Sequence, residues 1–235
     1  MIEKIKMQKE SRMIEVIPSL PALTFEELRT KVGMVKGLVS TFQIDICDGM
    51  FIPARSWPMN PGDKAQFQDI VRGKEKLPYA GEIDFEVHFM THTPEKLIPD
   101  WLKAGAMRFL IHVEARHDFA ACRRAAADAE LGVSLNIGTD VARIAEYAPY
   151  ISVVQLMGIA KIGAQGQPFD PRVLDMIREV REKYPGVIIE IDGSVNMETA
   201  PSLVEAGARR LAPGSYVFRS PDPKSAIEAL KQIPT

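Results

Sequence analysis

The sequence predicts an α/β protein, a single-domain (β/α)8 TIM barrel, on three observations. Eight short runs rich in β-branched residues alternate with eight amphipathic stretches, which is typical of parallel βαβ units. The chain has 235 residues, and α/β barrels commonly fold as one domain of roughly 250 residues. Pro18-Ser19-Leu20 follows the first predicted strand, where a dinucleotide-binding open sheet would carry a GxGxxG turn. A doubly wound open sheet is therefore the less favoured arrangement.

Each predicted strand is followed by a predicted helix. The strands are predicted over Ile14–Ile17, Ser40–Ile46, Ile83–His88, Arg108–Val113, Gly132–Leu135, Ile151–Leu156, Val187–Ile191 and Arg209–Ala212. The helices are predicted over Phe25–Lys36, Lys64–Val71, Glu95–Ala104, Phe119–Glu130, Val141–Tyr147, Pro171–Lys183, Met197–Ala206 and Lys224–Gln232. Residues 1–12 are polar and charged, and we predict that they are an N-terminal extension to a barrel of residues 13–235. The longest irregular stretch, residues 48–63, follows the second strand, and long loops in compact domains are usually functional.

The composition argues against several classes of protein. A net charge of −2 gives no basic surface for nucleic acid or for an acidic membrane. No apolar run approaches the ~20 residues that cross a bilayer, and residues 1–12 lack the apolar core of a secretory signal. The two cysteines, Cys47 and Cys122, form no CxxC motif, which suits a reducing compartment. We therefore expect a cytoplasmic protein that binds neither nucleic acid nor membranes.

Polar residues end three of the predicted strands, on the side of a barrel where catalytic groups are found. Asp45, His88 and Asp192 come from the second, third and seventh strands, and alternation puts Gln43 on the same strand face as Asp45. Closure of the barrel would bring these side chains together. Two aspartates and an imidazole suit proton transfer next to a carbonyl group. The same three side chains could instead hold a divalent metal that stabilises an enediolate.

Two Gly-Ser pairs indicate a phosphate site. Gly193-Ser194 and Gly214-Ser215 follow the seventh and eighth strands, where barrels commonly bind phosphate through backbone N–H groups. Met90 and Met157 follow the third and sixth strands, and we expect their flexible thioethers to pack around the site. Together these residues predict that the ligand is a small phosphorylated molecule.

Several motifs occur in one order along the chain. They are Pro18-Ser19-Leu20, Gln43 through Gly49, His88-Phe89-Met90, His112-Val113-Glu114, Asp192 through Asn196, and Gly214 through Phe218. From about Met13 onward the chain resembles the D-ribulose-5-phosphate 3-epimerase family, whose corresponding motifs include H-x-D-x-M-D-G, H-L-M, H-V-E, D-G-G-V-N and G-S-x-x-F. Gly166-Gln167 keeps the end of the family's M-x-V-x-P-G-x-x-G-Q loop, which here is one residue longer and lacks the proline.

The resemblance implies a reaction and a cofactor. Two aspartates, here Asp45 and Asp192, would flank C3 of a ketose phosphate and exchange its proton between opposite faces. In the family, one divalent metal, often zinc or another transition metal, is bound by these two aspartates and two histidines. Asp45, His88 and Asp192 correspond to three of those ligands, and Gln43 stands in place of the second histidine. A neutral amide oxygen would suit Mg or Mn better than Zn. The expected ion is thus Zn, Fe, Mn or Mg, or the metal would be absent.

The resemblance also implies which residues surround the substrate. Ser19, Gly166 and Gln167 would join the two Gly-Ser pairs in binding a small phosphorylated sugar. Cys47 stands at the position of a family methionine and would pack near the substrate. Members of the family often form dimers or hexamers, so a homo-oligomer is one expected state.

We therefore expect an isomerase that converts D-ribulose 5-phosphate to D-xylulose 5-phosphate, or that epimerises a close analogue. Two alternatives stay open. A sugar-phosphate-binding barrel without catalysis would result if Gln43 has broken the metal site. A lyase of the same superfamily would carry D-x-K-x-x-D on a middle strand, and this chain has no such lysine after an inward aspartate.

Overall fold

The computed structural model describes residues 13–235, so the predicted N-terminal extension, residues 1–12, lies outside the described residues. The strands are β1 (Glu15–Val16), β2 (Ser19–Leu20), β3 (Thr41–Cys47), β4 (Asp84–Met90), β5 (Ala106–His112), β6 (Glu130–Leu135), β7 (Val153–Met157), β8 (Ile188–Asp192) and β9 (Arg210–Ala212). They pair in parallel in the order β1-β9-β8-β7-β6-β5-β4-β3-β2. Sequential strands are therefore neighbours, as the alternating sequence pattern predicted.

The first predicted strand closes the barrel because it pairs on both sides. Glu15 of β1 pairs with Arg210 of β9, whereas Ser19 of β2 pairs with Gln43 of β3. Pro18 lies between the two short strands and has no N–H, but its carbonyl oxygen accepts a hydrogen bond from the Gln43 N–H at 2.9 Å. β1 and β2 are thus two parts of one strand, which continues three residues beyond the predicted end at Ile17. The described residues form the predicted (β/α)8 barrel.

Helices surround the strands. They are α1 (Phe25–Val35), α2 (Lys64–Val71), α3 (Ile98–Ala104), α4 (Phe119–Ala126), α5 (Arg172–Lys183), α6 (Ala200–Ala206), α7 (Ser215–Phe218) and α8 (Pro223–Lys231), with 3-10 helices over Pro94–Lys96, Val141–Glu146 and Ala148–Tyr150. Thr24 precedes α1, and its hydroxyl accepts the Glu27 N–H at 3.1 Å, which satisfies a free donor of the first turn. Within residues 13–235, no helix has both the length and the apolar character needed to span a membrane.

Two helices differ from their predicted form. The stretch predicted as an α-helix over Val141–Tyr147 is a 3-10 helix over Val141–Glu146, in which the Tyr147 N–H donates to Ile144 O. A second 3-10 helix, which contains Pro149, follows it. The helix predicted over Phe119–Glu130 ends at Ala126, because the backbone of Ala127 turns to a φ of +52°. Short turns in the backbone, rather than a change in apolar pattern, set these ends.

The strands bury different side chains on their two faces. On β3, Gln43 and Asp45 point into the barrel, while Ile44 and Ile46 belong to the apolar core. Near the N-terminal ends of the strands, Arg210 donates to Glu15 at 2.9 Å and to Glu130 at 3.0 Å. This ion cluster fills one end of the barrel, and the predicted site residues lie towards the other end.

Candidate active site

Three residues predicted from separate strands meet at the C-terminal end of the barrel. Asp45 of β3 pairs directly with His88 of β4, and β8 ends at Asp192. His88 Nδ1 lies 3.1 Å from Asp45 Oδ1 and 3.5 Å from Asp192 Oδ2. One potential ligand atom from each residue lies within 4.8 Å of the others, so this buried group could hold a metal ion.

Gln43 joins this group through its amide nitrogen. Gln43 Nε2 donates to Asp45 Oδ1 at 2.6 Å and to Asp192 Oδ2 at 2.7 Å. Its Oε1 faces the other way and accepts a hydrogen bond from Gln155 Nε2 at 2.8 Å. The expectation that the amide oxygen of Gln43 would be a fourth metal ligand therefore does not match the geometry, in which a donor occupies that position.

A second histidine, His112, contacts the ring nitrogen of His88 that faces away from the aspartates. His88 Nε2 lies 3.0 Å from His112 Nε2, and His112 Nδ1 lies 3.0 Å from Glu114 Oε2. Burial opposes charge on His88, but hydrogen bonds to Asp192 and Asp45 outweigh it and raise its pKa to about 9. Burial lowers the pKa of His112 to about 4, so His112 is neutral and donates its Nδ1–H to Glu114. His112 Nε2 is then free to accept the Nε2–H of His88.

The two aspartates share a single environment. Asp45 is buried, and that burial, together with the nearby Asp192 carboxylate, raises the pKa of Asp45. The neighbouring negative charge makes ionisation of Asp45 less favourable than it is in water. Such a pair can donate and accept a proton within one cavity.

A buried polar layer lies beneath the aspartates. Gln155 Nε2 donates to Glu190 Oε1 at 2.9 Å as well as to Gln43, and Ser134 Oγ donates to Gln155 Oε1 at 2.8 Å. Burial raises the pKa of Glu190 to about 7, and burial with the neighbouring Glu190 raises that of Glu86. Gln155 and Ser134 were not predicted as site residues. A single polar residue among apolar neighbours, as in Val153-Val154-Gln155-Leu156, is the signal that could have found Gln155.

Most of the predicted site residues line one cavity of about 50 Å³. Its lining includes Asp45, Asp192, Ser19, Gly166, Gln167, Gly193, Ser194, Gly214, Ser215, Met90 and Met157. Gln43 and His88 are fully buried beneath the aspartates. Cys47 is buried and is not a lining residue; burial raises the pKa of its thiol to about 12. The cavity thus has a carboxylate end and an end made of glycine and serine loops.

Backbone geometry at the loop end depends on Gly193. Its φ is +100°, and a side chain there would collide with Ile159, so only glycine fits without strain. Ser194 Oγ donates to Gln167 O at 3.1 Å, which joins the loop after β8 to the loop after β7. Gln165, which the sequence analysis did not select, also lines the cavity and donates to Ser19 O at 3.0 Å. The loops after β7 and β8 and the strand β2 are therefore tied together.

Two loops meet above the cavity. The long loop predicted over residues 48–63 places Phe51 with its ring centroid 5.1 Å from that of His112. Ile52 of the same loop packs so closely on Gly163, in the loop after β7, that Gly163 has no space for a side chain. The loop after β3 therefore covers the site from one side, as its unusual length suggested.

The chain is similar to known enzymes over nearly its whole length. The model of the ribulose-phosphate 3 epimerase family matches residues 15–218. The ribulose-phosphate 3-epimerase of Bacillus subtilis is 33% identical over 227 residues, covering 93% of this chain and 99% of that protein. The enzyme of the same name from Candida glabrata is 28% identical, covering 92% of this chain and 91% of the other.

Solved structures share the fold at low sequence identity. A 3-hexulose-6-phosphate synthase from Salmonella typhimurium has a TM-score of 0.67 at 16% identity, covering 94% of this chain and 98% of that one. This similarity shows a shared fold only. The family match over most of the residues, together with the identity to the Bacillus subtilis enzyme, establishes that the chain belongs to the ribulose-phosphate 3 epimerase family of isomerases.

Proposed function

We propose that the protein epimerises a ketopentose 5-phosphate at C3, converting D-ribulose 5-phosphate to D-xylulose 5-phosphate or acting on a close analogue. The observation that carries the proposal is the pair of buried carboxyl groups, Asp45 and Asp192, in one cavity with the glycine and serine loops. The names of the relatives point to the same substrate. A buried pair of this kind is costly unless it is used or compensated.

The proposed chemistry moves one proton between two carboxyl groups. C3 of the ketose lies next to the C2 carbonyl, so the loss of its proton gives a 2,3-enediolate. The ionised aspartate takes that proton, and the protonated aspartate returns one to the opposite face of C3, which inverts the centre. Burial and the nearby Asp192 carboxylate raise the pKa of Asp45, which favours its protonated form more than water would. The reverse reaction exchanges the two roles.

Donors close to the pair hold the two carboxyl groups in position. Gln43 Nε2 bridges the two carboxylates, and His88 Nδ1 faces both of them. Both donors are fully buried, so they would act on the substrate through the aspartates. His112 and Glu114 hold the ring of His88 in place from behind. These residues would thus orient and stabilise rather than exchange the proton.

The loop end of the cavity is proposed to bind the phosphate group. Gly193, Ser194, Gly214 and Ser215 follow β8 and β9, and Gly166 and Gln167 approach from the loop after β7. Phosphate sites at this place in barrels are built largely from backbone N–H groups. A phosphate held there would fix C3 near the aspartates and exclude water from the carboxylate end.

Three side chains at this site suit a divalent ion, and the residue at the fourth ligand position of the family, Gln43, does not. Asp45, His88 and Asp192 could hold an ion of the kind the family uses, where it would stabilise the enediolate oxygens as a Lewis acid. Gln43 presents an N–H donor to the same two carboxylate oxygens, and this does not fit a ligand set of four. The proposed proton transfer therefore uses only the side chains of this chain.

The two alternative functions are not favoured. The family relatives that match along the chain are named as epimerases. A lyase of the hexulose-phosphate synthase type is similar only in its fold, and the lysine motif of such enzymes is lacking. A barrel that only binds a sugar phosphate has no need for a proton-sharing pair of aspartates.

The test is an epimerase assay with D-ribulose 5-phosphate in D2O, followed by NMR. We expect D-xylulose 5-phosphate to appear with deuterium at C3, because the proton removed exchanges with solvent or is replaced by that of the second aspartate. The assay is run after chelator treatment and again with Mg, Mn, Zn or Fe(II) restored. Absence of both turnover and exchange under every condition would refute the proposed reaction.

A further inference from the structure

We propose that the Gln43 carboxamide takes the place of a metal ligand by donating hydrogen bonds, so that this site binds divalent cations weakly. Gln43 Nε2 bridges Asp45 Oδ1 and Asp192 Oδ2 at 2.6 and 2.7 Å. The bridge holds the two carboxyl groups in fixed relative positions. The inference rests on the proposed function for the use of this pair, while the bridging geometry itself is independent of it.

The orientation of the Gln43 amide is determined by its neighbours. Gln155 Oε1 accepts a hydrogen bond from Ser134 Oγ, and Gln155 Nε2 faces Gln43 Oε1 and Glu190 Oε1. Gln43 therefore turns its oxygen towards Gln155 and its nitrogen towards the aspartates. If the amide of Gln43 were reversed, two NH2 groups would face each other in a fully buried site. The contacts with residues on β6, β7 and β8, together with the two acceptor carboxylates, favour this donor direction.

This arrangement opposes the binding of a cation between the aspartates. The lone pairs that an ion would use on Asp45 and Asp192 already accept N–H groups from Gln43. A cation placed there would also face the positive end of the amide dipole. Turning the amide to offer Oε1 would break its bond with Gln155 and leave buried polar atoms without partners.

The same contacts assign Gln43 a positioning role. Two neighbouring carboxyl groups that share a proton repel when both are ionised, and a donor that reaches both keeps them close. The spacing between them fixes which faces of a ligand each can reach. Gln43 touches no cavity surface, because it is fully buried, and so it acts through the aspartates.

The test is the affinity of the purified full chain for Co2+, followed through the visible absorption of the bound ion after chelator treatment. Four proteins are compared: the natural chain and its Gln43→His, Gln155→Leu and Gln165→His variants. We expect Gln43→His to bind Co2+ about 10- to 100-fold more tightly than the natural chain, since it restores a ligand. We expect Gln155→Leu to bind about 10-fold more tightly, because the Gln43 amide is then able to turn.

The Gln165→His variant is the matched control. It places a new imidazole in the same cavity, next to Ser19 and away from the Gln43 bridge, and should leave Co2+ affinity unchanged. The proposal is overturned if the natural chain binds Co2+ as tightly as Gln43→His, or if Gln155→Leu gains no affinity. Should Gln43→His fail to fold, the comparison of the natural chain with Gln155→Leu decides. Weak Co2+ binding without epimerase activity would instead refute the proposed function and leave this inference standing.

Discussion

Gln155 donates a hydrogen bond to Gln43 across the barrel at 2.8 Å, and this contact decides which atom of Gln43 faces the aspartates. The two residues lie on β7 and β3, which are not neighbours in the sheet. Their interaction therefore passes through the barrel interior. Gln155, which lies below the cavity, therefore determines which atom of Gln43 contacts the two aspartates that line it.

Removing this contact should reduce stability. Gln155→Leu leaves the acceptor oxygens of Gln43 and Glu190 without their donor inside the barrel, and an unsatisfied buried polar group costs about 1–3 kcal/mol. We expect the free energy of unfolding, measured with urea, to fall by that amount. Gln66→Leu on α2 is the control and should change it by less than about 0.5 kcal/mol. A variant at position 155 that is as stable as the natural chain would contradict the importance of this network.

Proton exchange with solvent should distinguish the roles of the two aspartates. Asp45→Asn and Asp192→Asn each remove one carboxyl group with little change in shape, and we expect each to lower epimerisation about 10²–10⁴-fold. The base that remains can still remove a proton from the epimer whose C3–H faces it. In D2O, one variant should therefore exchange the C3 proton of ribulose 5-phosphate and the other that of xylulose 5-phosphate. If both variants exchange the same epimer, the assignment of one base to each face is wrong.

Low pH should weaken the contact by which Glu114 holds His112 against His88. Burial alone would raise the pKa of Glu114, but hydrogen bonds from His112, Thr139 and the Asn136 N–H lower it to about 2. Because the pKa is depressed in the folded state, this carboxylate stabilises the fold above its unfolded pKa of about 4.3. That stabilisation is lost as the pH falls towards 2.

The measurement compares the natural chain with Glu114→Gln in urea unfolding at pH 5 and pH 2.5. The difference in unfolding free energy between the two should shrink by about 2 kcal/mol at the lower pH. Glu205→Gln, at an exposed position of α6, reports the general effect of removing one carboxyl group. A difference that stays constant with pH would show that Glu114 is not the group that titrates.

Arg219 should assist the binding of the phosphate group. It lines a surface pocket with Gly166, Gln167, Ser194 and Ser215, and its guanidinium is unpaired among residues 13–235. An exposed cation of this kind contributes about 0.2–1 kcal/mol, so Arg219→Gln should raise KM up to about 5-fold and leave kcat unchanged. Arg124→Gln on α4 removes the same charge elsewhere and should not alter KM. The increase should disappear at high salt, and a change in kcat alone would contradict this role.

Residue patterns within single strands predicted much of this architecture. The alternation of Gln43-Ile44-Asp45-Ile46 was sufficient to place Asp45 in the barrel and Ile44 in the apolar core, since side chains alternate between faces. Asp192 and His88 could be placed at the same end because parallel strands end on the same side. The predicted meeting of these three residues agrees with the distances in the structure.

The direction of the Gln43 amide could not be read in this way. It depends on Gln155 and Ser134, which lie 112 and 91 positions away in the chain, and on which of their atoms are already engaged. The form of the turn at Val141–Glu146 was also missed, because apolar spacing does not distinguish an α-helix from a 3-10 helix over one or two turns. The sequence pattern therefore did not predict side-chain contacts across the barrel or the type of a short helix.

The contact between Ile52 and Gly163 has a kinetic consequence. It joins the loop after β3 to the loop after β7, which lines the cavity that contains the aspartates. On the proposed function, movement of these two loops would change how easily a sugar phosphate reaches the aspartates and how easily the product leaves. A slow movement would then limit turnover independently of the proton transfer itself. Residue 52 would therefore govern how quickly the enzyme exchanges ligand with solvent without contacting the reacting carbon.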